Sequence, residues 1–213
     1  MTAVLAAGEI SFRYEPETPL LEAWSAEFHA GEVVAVTGPS GRGKSTLLYL
    51  LGLMLKPDGG RVLLDGKPVH ALSDRRRARL RANEFGFVFQ DAALDASRTV
   101  VDNILETVLY RGDDRAEATI RAEILMDRFG VALRRNAKPG QVSGGQAQRI
   151  ALCRALLGEP RVVLADEPTG NLDPASSDIV IGALHEHAHR GGTAIIVTHD
   201  PLLVARCDRR IEI

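Results

Sequence analysis

The chain has 213 residues, of which 45% are hydrophobic and 25% are charged, and its formal net charge is -2. This length suffices for one large domain, or for one domain with an inserted lobe. The balanced charge gives no general reason to expect a nucleic acid partner. The longest apolar stretch, Thr46 to Leu55, is about half of the ~20 residues that a membrane-spanning helix needs. The first nine residues lack the basic start of a secretory signal, so the sequence predicts a cytoplasmic protein.

The first part of the chain has the alternating or continuous apolar pattern of β-strands. The predicted strands and their turns lie at residues 10–14, 33–36, 61–66 and 85–90. A leucine-rich helix pattern starts at Thr46, and a cluster of proline, aspartate and glycine ends it. The basic run from Asp74 to Arg81 contains no aromatic residues, so a solvated helix face is favoured over a nucleic acid patch.

A helical pattern replaces the strand pattern from Asp91 to Gln141. Ile120 and Ile124 lie four residues apart, and charged residues occupy other positions of the same stretch. We expect an inserted helical lobe here, followed by a helix from Ser143 to about Leu157.

The remaining chain alternates apolar strands with helices. A short apolar strand at 161–165 precedes a helix that Asp173 and Pro174 begin in the usual way. Another buried strand follows at 193–198. Such alternation predicts a mainly parallel sheet, whose ligands bind at the carboxyl ends of the strands.

A glycine-rich loop fits the Walker A pattern G-x-x-x-x-G-K-[ST] with the residues Gly38-Pro-Ser-Gly-Arg-Gly-Lys-Ser45. Between a strand and a helix, this pattern is typical of a loop whose backbone N–H groups hold phosphates. Lys44 would supply a positive charge, and the Ser45 hydroxyl would ligate Mg²⁺. The alternative is a glycine-rich turn with a surface lysine. The flanking patterns favour a site for a nucleoside triphosphate.

Two adjacent carboxylates, Asp166 and Glu167, end the next apolar strand. Asp166 would hold Mg²⁺ through its water shell opposite Ser45, and Glu167 could take a proton from an attacking water. The alternative is a solvated acidic pair at a strand end. The metal and base roles are favoured by the Walker A pattern in the same chain.

A second anion-binding helix start is predicted at Ser143-Gly-Gly-Gln146, which we call the signature loop. The serine can cap the helix, and the two glycines leave the approach to its N–H groups open. Because one nucleotide has only one γ-phosphate, this loop is expected to serve a nucleotide bound by another copy of the chain.

In this order and spacing, the motifs resemble the ATP-binding subunit of an ABC transporter over nearly the whole chain. The resemblance implies an α/β fold of the P-loop NTPase type, with a mainly parallel core sheet, an antiparallel β subdomain and an inserted α-helical lobe. It implies a single domain at 1–213, with a nucleotide-binding core at 1–90 and about 158–213 and a lobe at about 91–157. It also implies a homodimer that hydrolyses two ATP molecules with Mg²⁺ and drives an integral membrane permease from the inner face of the membrane.

The resemblance also assigns roles to single residues. Glu167, His199 and Lys44 are expected to be catalytic, with His199 as the switch histidine that contacts the γ-phosphate. Mg²⁺ is expected at Ser45, Gln90 and Asp166. Tyr14 would stack on adenine, unless it packs in the core, and Asn171-Leu-Asp173 would cross to the other subunit. Nucleotide contacts are expected from Tyr14, Gly38, Pro39, Ser40, Gly41, Arg42, Gly43, Lys44, Ser45, Thr46, Gln90, Ser143, Gly144, Gly145, Gln146 and Asp173.

The string from Ala165 to Asp173 is similar to the family branch that serves lipoprotein release, macrolide and antimicrobial-peptide export, and a cell-division complex. An ATP-dependent dimerisation switch in cell division or envelope signalling is the alternative function. A DNA-repair or translation ATPase of this family would need a coiled-coil insertion or a tandem nucleotide domain, and the sequence has neither. The segment from Asp91 to Arg98 departs from the branch's usual leucine-proline stretch, which predicts an unusual permease.

Overall fold

The computed structural model describes residues 3–170 and 172–213. Its strands are β1 (Leu5–Glu15), β2 (Thr18–Phe28), β3 (Val33–Thr37), β4 (Gly59–Leu64), β5 (Lys67–Pro68), β6 (Phe85–Val88), β7 (Val162–Asp166), β8 (Thr193–Val197) and β9 (Arg209–Glu212). They form an antiparallel sheet in the order β2-β1-β4-β5 and a parallel sheet in the order β6-β7-β8-β3-β9. The predicted fold class is confirmed.

Three central strands of the parallel sheet are buried at every residue, which explains their continuous apolar runs. Successive side chains nevertheless point to opposite faces of the sheet. Val163 and Ile196 belong to one apolar cluster, whereas Leu164 and Ile195 belong to the other, which the antiparallel sheet shares. The parallel sheet therefore has a separate core on each face.

The described helices cover both cores. They are α1 (Lys44–Leu51), α2 (Asp74–Glu84), α3 (Val100–Ile104), α4 (Glu106–Arg111), α5 (Arg115–Arg128), α6 (Gly144–Leu156), α7 (Pro174–His189) and α8 (Pro201–Val204), with short 3₁₀ turns at Ala132–Arg134 and Pro139–Gln141. Ile104, Met126 and Ile150, from three helices of the predicted lobe, share one apolar cluster with Val163 of the sheet. Among the described residues, no helix is both long and apolar enough to cross a membrane.

The helical region differs from the prediction in two respects. The first helix begins at Val100 and not at Asp91, because residues 91–99 form turns and an irregular segment. Ile120 and Ile124 lie on the exposed face of α5. Its buried face carries small residues such as Ala118, which allow close packing although they contribute little to an apolar pattern.

Two other parts of the chain concern a predicted helix and a strand that was not predicted. The basic run forms α2, and this helix is largely exposed, as predicted, although Arg77 is buried. Strand β9 was not predicted, because its residues are mostly polar. It pairs with β3 at the edge of the sheet and directs Ile211 toward the second core.

We predict that Gly86→Ala destabilises the protein, because α6 passes directly over β6 at this position. A Cβ on Gly86 would lie 2.5 Å from the carbonyl oxygen of Ala155. Relieving such an overlap costs about 1–3 kcal/mol of the free energy of unfolding. Denaturant titration measures this cost. Gly182→Ala is the control: a Cβ there meets nothing within 4 Å, so it should raise the same free energy by about 0.5–1 kcal/mol. Equal effects of the two changes would contradict the prediction.

Candidate functional site

The Walker A loop connects β3 to α1 in a form that leaves the start of the helix open. Gly43 precedes α1 with a φ of 86°, and a Cβ there would lie 2.8 Å from the Leu20 side chain. No side chain caps the helix, and its first turn contains no acidic residue. The first N–H groups of α1 are thus left for an anion.

The ammonium group of Lys44 is held over this loop. Its Nζ donates hydrogen bonds to the carbonyl oxygens of Gly38 (2.9 Å) and Pro39 (2.8 Å). Both acceptors are neutral, so the positive charge has no carboxylate partner there and can attract a phosphate. Arg42 is exposed, in keeping with a loop position where only the backbone is needed.

Tyr14 lies beside the same loop. Its hydroxyl oxygen is 3.3 Å from that of Thr46, and the residue is 65% exposed. The alternative that this ring packs in the core is therefore wrong. An exposed aromatic face next to the Walker A helix is suited to stacking on a flat ring such as adenine.

Ser45, Gln90 and Asp166 line one open pocket of about 580 Å³. Burial raises the pKa of the Asp166 carboxyl above its usual range, and the nearby Glu167 charge acts in the same direction. The hydrogen bond from Ser45 and the charge of Lys44 act to lower this pKa but do not reverse the shift. A buried carboxylate, a hydroxyl and an amide are oxygen ligands of the kind that Mg²⁺ prefers. These residues therefore fit a magnesium ion together with a phosphate chain.

Glu167 and His199 form a hydrogen-bonded pair where β7 and β8 end. The carboxylate accepts hydrogen bonds from the Thr198 hydroxyl (3.0 Å) and the His199 backbone N–H (3.1 Å), and its Oε1 is 2.6 Å from the ring Nδ1 of His199. The hydrogen bond and the charge of Glu167 raise the pKa of His199 above its usual value. The Glu167 side chain is 12% exposed and that of His199 is 74% exposed, so the pair runs from the protein surface inward.

The signature loop starts α6 as predicted. Ser143 Oγ accepts a hydrogen bond from the Gln146 N–H (3.3 Å), and the Gln146 side chain accepts one from the Ser143 N–H (3.0 Å). Gly145 lies against the start of α7, where a Cβ would come within 2.9 Å of the Ser176 hydroxyl. None of these signature residues lines the pocket of Ser45 and Asp166 within the described part of the chain.

Asp173 lies next to the signature loop and caps α7. It accepts hydrogen bonds from the Ser176 N–H (3.0 Å) and hydroxyl (2.7 Å), and these bonds lower its pKa. Gly145 and Asp173 thus contribute to one surface. Asn171, from the same predicted crossing segment, lies outside the described residues.

Two buried polar residues of α6, the helix that follows the signature loop, have contacts that were not predicted from the sequence. Gln148 is 3% exposed and Arg154 is 8% exposed. Their side chains donate hydrogen bonds to backbone carbonyl groups next to Gln90. The available signal was a polar residue within the apolar pattern of this helix, since buried polar groups need partners.

Comparisons with known proteins agree with this geometry. The family model described as ABC transporter matches residues 21–170. The lipoprotein-releasing system ATP-binding protein LolD of Paramagnetospirillum magneticum is 45% identical over 194 residues, which cover 91% of this chain and 86% of that protein. The macrolide export ATP-binding/permease protein MacB of Salmonella choleraesuis is 42% identical over 216 aligned residues. The match covers all of this chain and 33% of the length of MacB.

Solved structures give the same assignment. The dimeric structure of MJ0796, a bacterial ABC transporter cassette, has a TM-score of 0.91 and 31% identity, and the match covers 98% of this chain and 94% of that one. A dimeric post-hydrolysis state of the same cassette, bound to ADP and Pi, has a TM-score of 0.90 and 30% identity, and the match again covers 98% of this chain and 94% of that one. The predicted family and branch are confirmed. The chain belongs to the ABC transporter family, as an ATP-binding and ATP-hydrolysing subunit.

Proposed function

We propose that this subunit hydrolyses ATP between two copies of the chain and so drives a separate membrane permease that works in export or in force transmission to the outer side. The observation that carries the proposal is the position of Glu167. Its carboxylate follows the buried Asp166 directly and is oriented by three hydrogen bonds at the strand ends. A carboxylate fixed in this way beside a phosphate pocket is suited to accept a proton from water.

In this proposal the Walker A residues bind the triphosphate. The open N-terminus of α1 and the Lys44 ammonium would attract the phosphate oxygens, and Tyr14, beside Thr46 of this helix, would stack on adenine. Ser45, Gln90 and Asp166 would hold Mg²⁺, which neutralises charge on the phosphate chain when it is bound. The pocket that these three residues line supports this assignment.

The Glu167 and His199 pair would orient the reacting groups. A proton on Nδ1 of the His199 ring would be donated in a hydrogen bond to Glu167, which fixes the orientation of both side chains. The second ring nitrogen, Nε2, is then the atom that would meet an oxygen of the γ-phosphoryl group. Interactions that strengthen as charge develops on this group accelerate the reaction.

We further propose that the signature loop of one subunit covers the nucleotide of the other. Among the described residues, the signature loop does not line the pocket of its own chain, which supports this arrangement. Residues 91–157 would form the lobe of a single domain, and closure of the dimer would move the two lobes and the permease with them. The subunit would then lie on the cytoplasmic face of the membrane, bound through its permease.

We predict that Glu167→Gln retains ATP binding and lowers the turnover number roughly 10²- to 10⁴-fold, the scale of a positioned general base. The amide keeps the size of the side chain but accepts no proton. Steady-state phosphate release measures turnover, and light scattering with ATP should detect a stable dimer of this variant.

Two further variants control that experiment. Glu22→Gln removes the same charge at an exposed position and should behave like the wild type. Adding Ser143→Arg to Glu167→Gln should prevent the ATP-dependent dimer, because a long side chain would occupy the surface that meets the second nucleotide. Normal turnover of Glu167→Gln would rule out the proposed base.

The pKa of His199 provides a second prediction, for the nucleotide-free protein. Since the Glu167 carboxylate stabilises the imidazolium, Glu167→Gln should lower this pKa toward the usual value of about 6.5. The contribution of the pair to folding stability is present below that usual value and is lost as the pH rises through the raised pKa. NMR titration of labelled histidines measures the shift. His187, whose pKa is lowered by burial, should not respond, and an unchanged His199 would contradict the pairing.

The permease partner gives a third prediction. Adding the membrane permease that co-purifies with this chain, in detergent or vesicles, should stimulate ATP hydrolysis by the wild type but not by Glu167→Gln. Stimulation accompanied by export supports the transporter. Binding of a cell-wall hydrolase regulator, with no transported substrate, would instead favour the dimerisation switch.

A further inference from the structure

The main chain beside Gln90 adopts an unusual conformation. Ala92 and Ala93 have φ values of 61° and 46°, in the left-handed region that residues with a Cβ rarely adopt. The Ala92 N–H donates to the carbonyl oxygen of Phe89 (3.1 Å), so that residues 89–93, here called the Gln90 segment, form a tight turn. Such a turn persists only where its surroundings hold it.

Two buried side chains of α6 hold this turn at both ends. Gln148 Nε2 donates to the carbonyl oxygen of Phe89 (3.0 Å). Arg154 donates from Nη1 to the carbonyl oxygen of Ala93 (2.7 Å) and from Nη2 to that of Ala92 (2.8 Å). The planar guanidinium thus binds two adjacent carbonyl groups with two donors of fixed geometry.

Burying the Arg154 guanidinium costs more free energy than a neutral hydrogen-bond donor would. It is 8% exposed, and burial lowers its pKa by disfavouring the charged form. Its hydrogen bonds go to backbone carbonyls, and the charges of Glu106 and Asp91 oppose the effect of burial on its pKa without reversing it. A buried charge of this kind costs free energy, which suggests that the position of the turn itself is what the contact secures.

We infer that Gln148 and Arg154 are positioning residues for Gln90, which they hold at the magnesium pocket through the carbonyl groups of the Gln90 segment. The inference rests on the proposed role of Gln90 as a ligand of Mg²⁺. Because α6 begins at the signature loop, one helix connects the surface that meets the partner's nucleotide with the metal ligand of its own site. A shift of α6 on dimer closure is therefore transmitted to Gln90.

A double-mutant cycle on ATP turnover tests whether Arg154 acts through Gln90. Arg154→Lys keeps the charge but cannot bind both carbonyl groups in the same way, so it should lower the turnover number roughly 10- to 100-fold, the scale of a misplaced catalytic group. The KM for ATP should change little, since the Walker A loop is untouched. In a Gln90→Ala background, Arg154→Lys should have no further effect. The inference would be overturned if the two substitutions lowered the turnover number independently, so that their fold-changes multiply in the double mutant. Normal turnover of Gln90→Ala would also overturn it.

Amide hydrogen exchange in the nucleotide-free protein provides a readout that is independent of catalysis. Arg154→Lys should speed exchange of the Ala92 amide, whose hydrogen bond closes the turn. Arg77→Lys is the control, since Arg77 is 7% exposed and donates to the carbonyl oxygen of Leu53, another residue with a left-handed φ (60°), and to the Asp74 carboxylate, but to no residue of the Gln90 segment. It should change neither exchange at Ala92 nor turnover.

The two measurements separate this inference from the proposed function. Normal turnover of Glu167→Gln would refute the proposed base and leave the exchange result at Ala92 standing. Unchanged exchange at Ala92 with an active wild type would refute the positioning role alone. If Arg154→Lys fails to fold, Gln148→Leu removes the hydrogen bond to Phe89 with little change of volume and enters the same cycle and exchange experiment.

Discussion

Complete burial of three parallel strands is the constraint on which the site depends. β3, β7 and β8 have no exposed residue, so their backbone groups pair within the sheet and their side chains are almost all apolar. Polar side chains can emerge only where the strands end. Since parallel strands end at the same edge, the Walker A loop, the Asp166 and Glu167 pair and His199 are brought together there. The apolar pattern of the strands thus determines where the chemistry lies.

The same sheet links this edge to the helices. Its residues alternate between two apolar clusters, one of which includes the helices after Val100. α6 approaches β6 so closely at Gly86 that a Cβ has no room, and β6 leads directly to Gln90. A tightly packed contact of this kind has few alternative arrangements. The close contact at Gly86 thus ties the position of α6 to that of β6 and its polar end.

Local features of the sequence were sufficient to predict much of this arrangement. The Walker A loop could be predicted because consecutive residues determine both its shape and its role. The bond between Glu167 and His199 could not, because it joins residues that meet only through the pairing of β7 with β8, whose register no local pattern contains. The buried face of α5 was missed because alanines pack closely there while Ile120 and Ile124 face outward. Packing in three dimensions, and not apolar periodicity alone, decides such faces.

Strained backbone is found beside two of the candidate reactive groups, although residues such as Leu53 and Asp65 also have a positive φ away from them. Glu167 has a φ of 44°, in the left-handed region, as do Ala92 and Ala93 beside Gln90. Each such residue costs of the order of 1–3 kcal/mol, and the surrounding structure must compensate for it. At Glu167 the compensation is visible: its N–H donates to the carbonyl oxygen of Val197 (2.9 Å), and its carboxylate accepts three hydrogen bonds from Thr198 and His199. A glycine would adopt this backbone without strain but would remove the carboxylate, so the strained conformation is explained by the need for an acid at the turn.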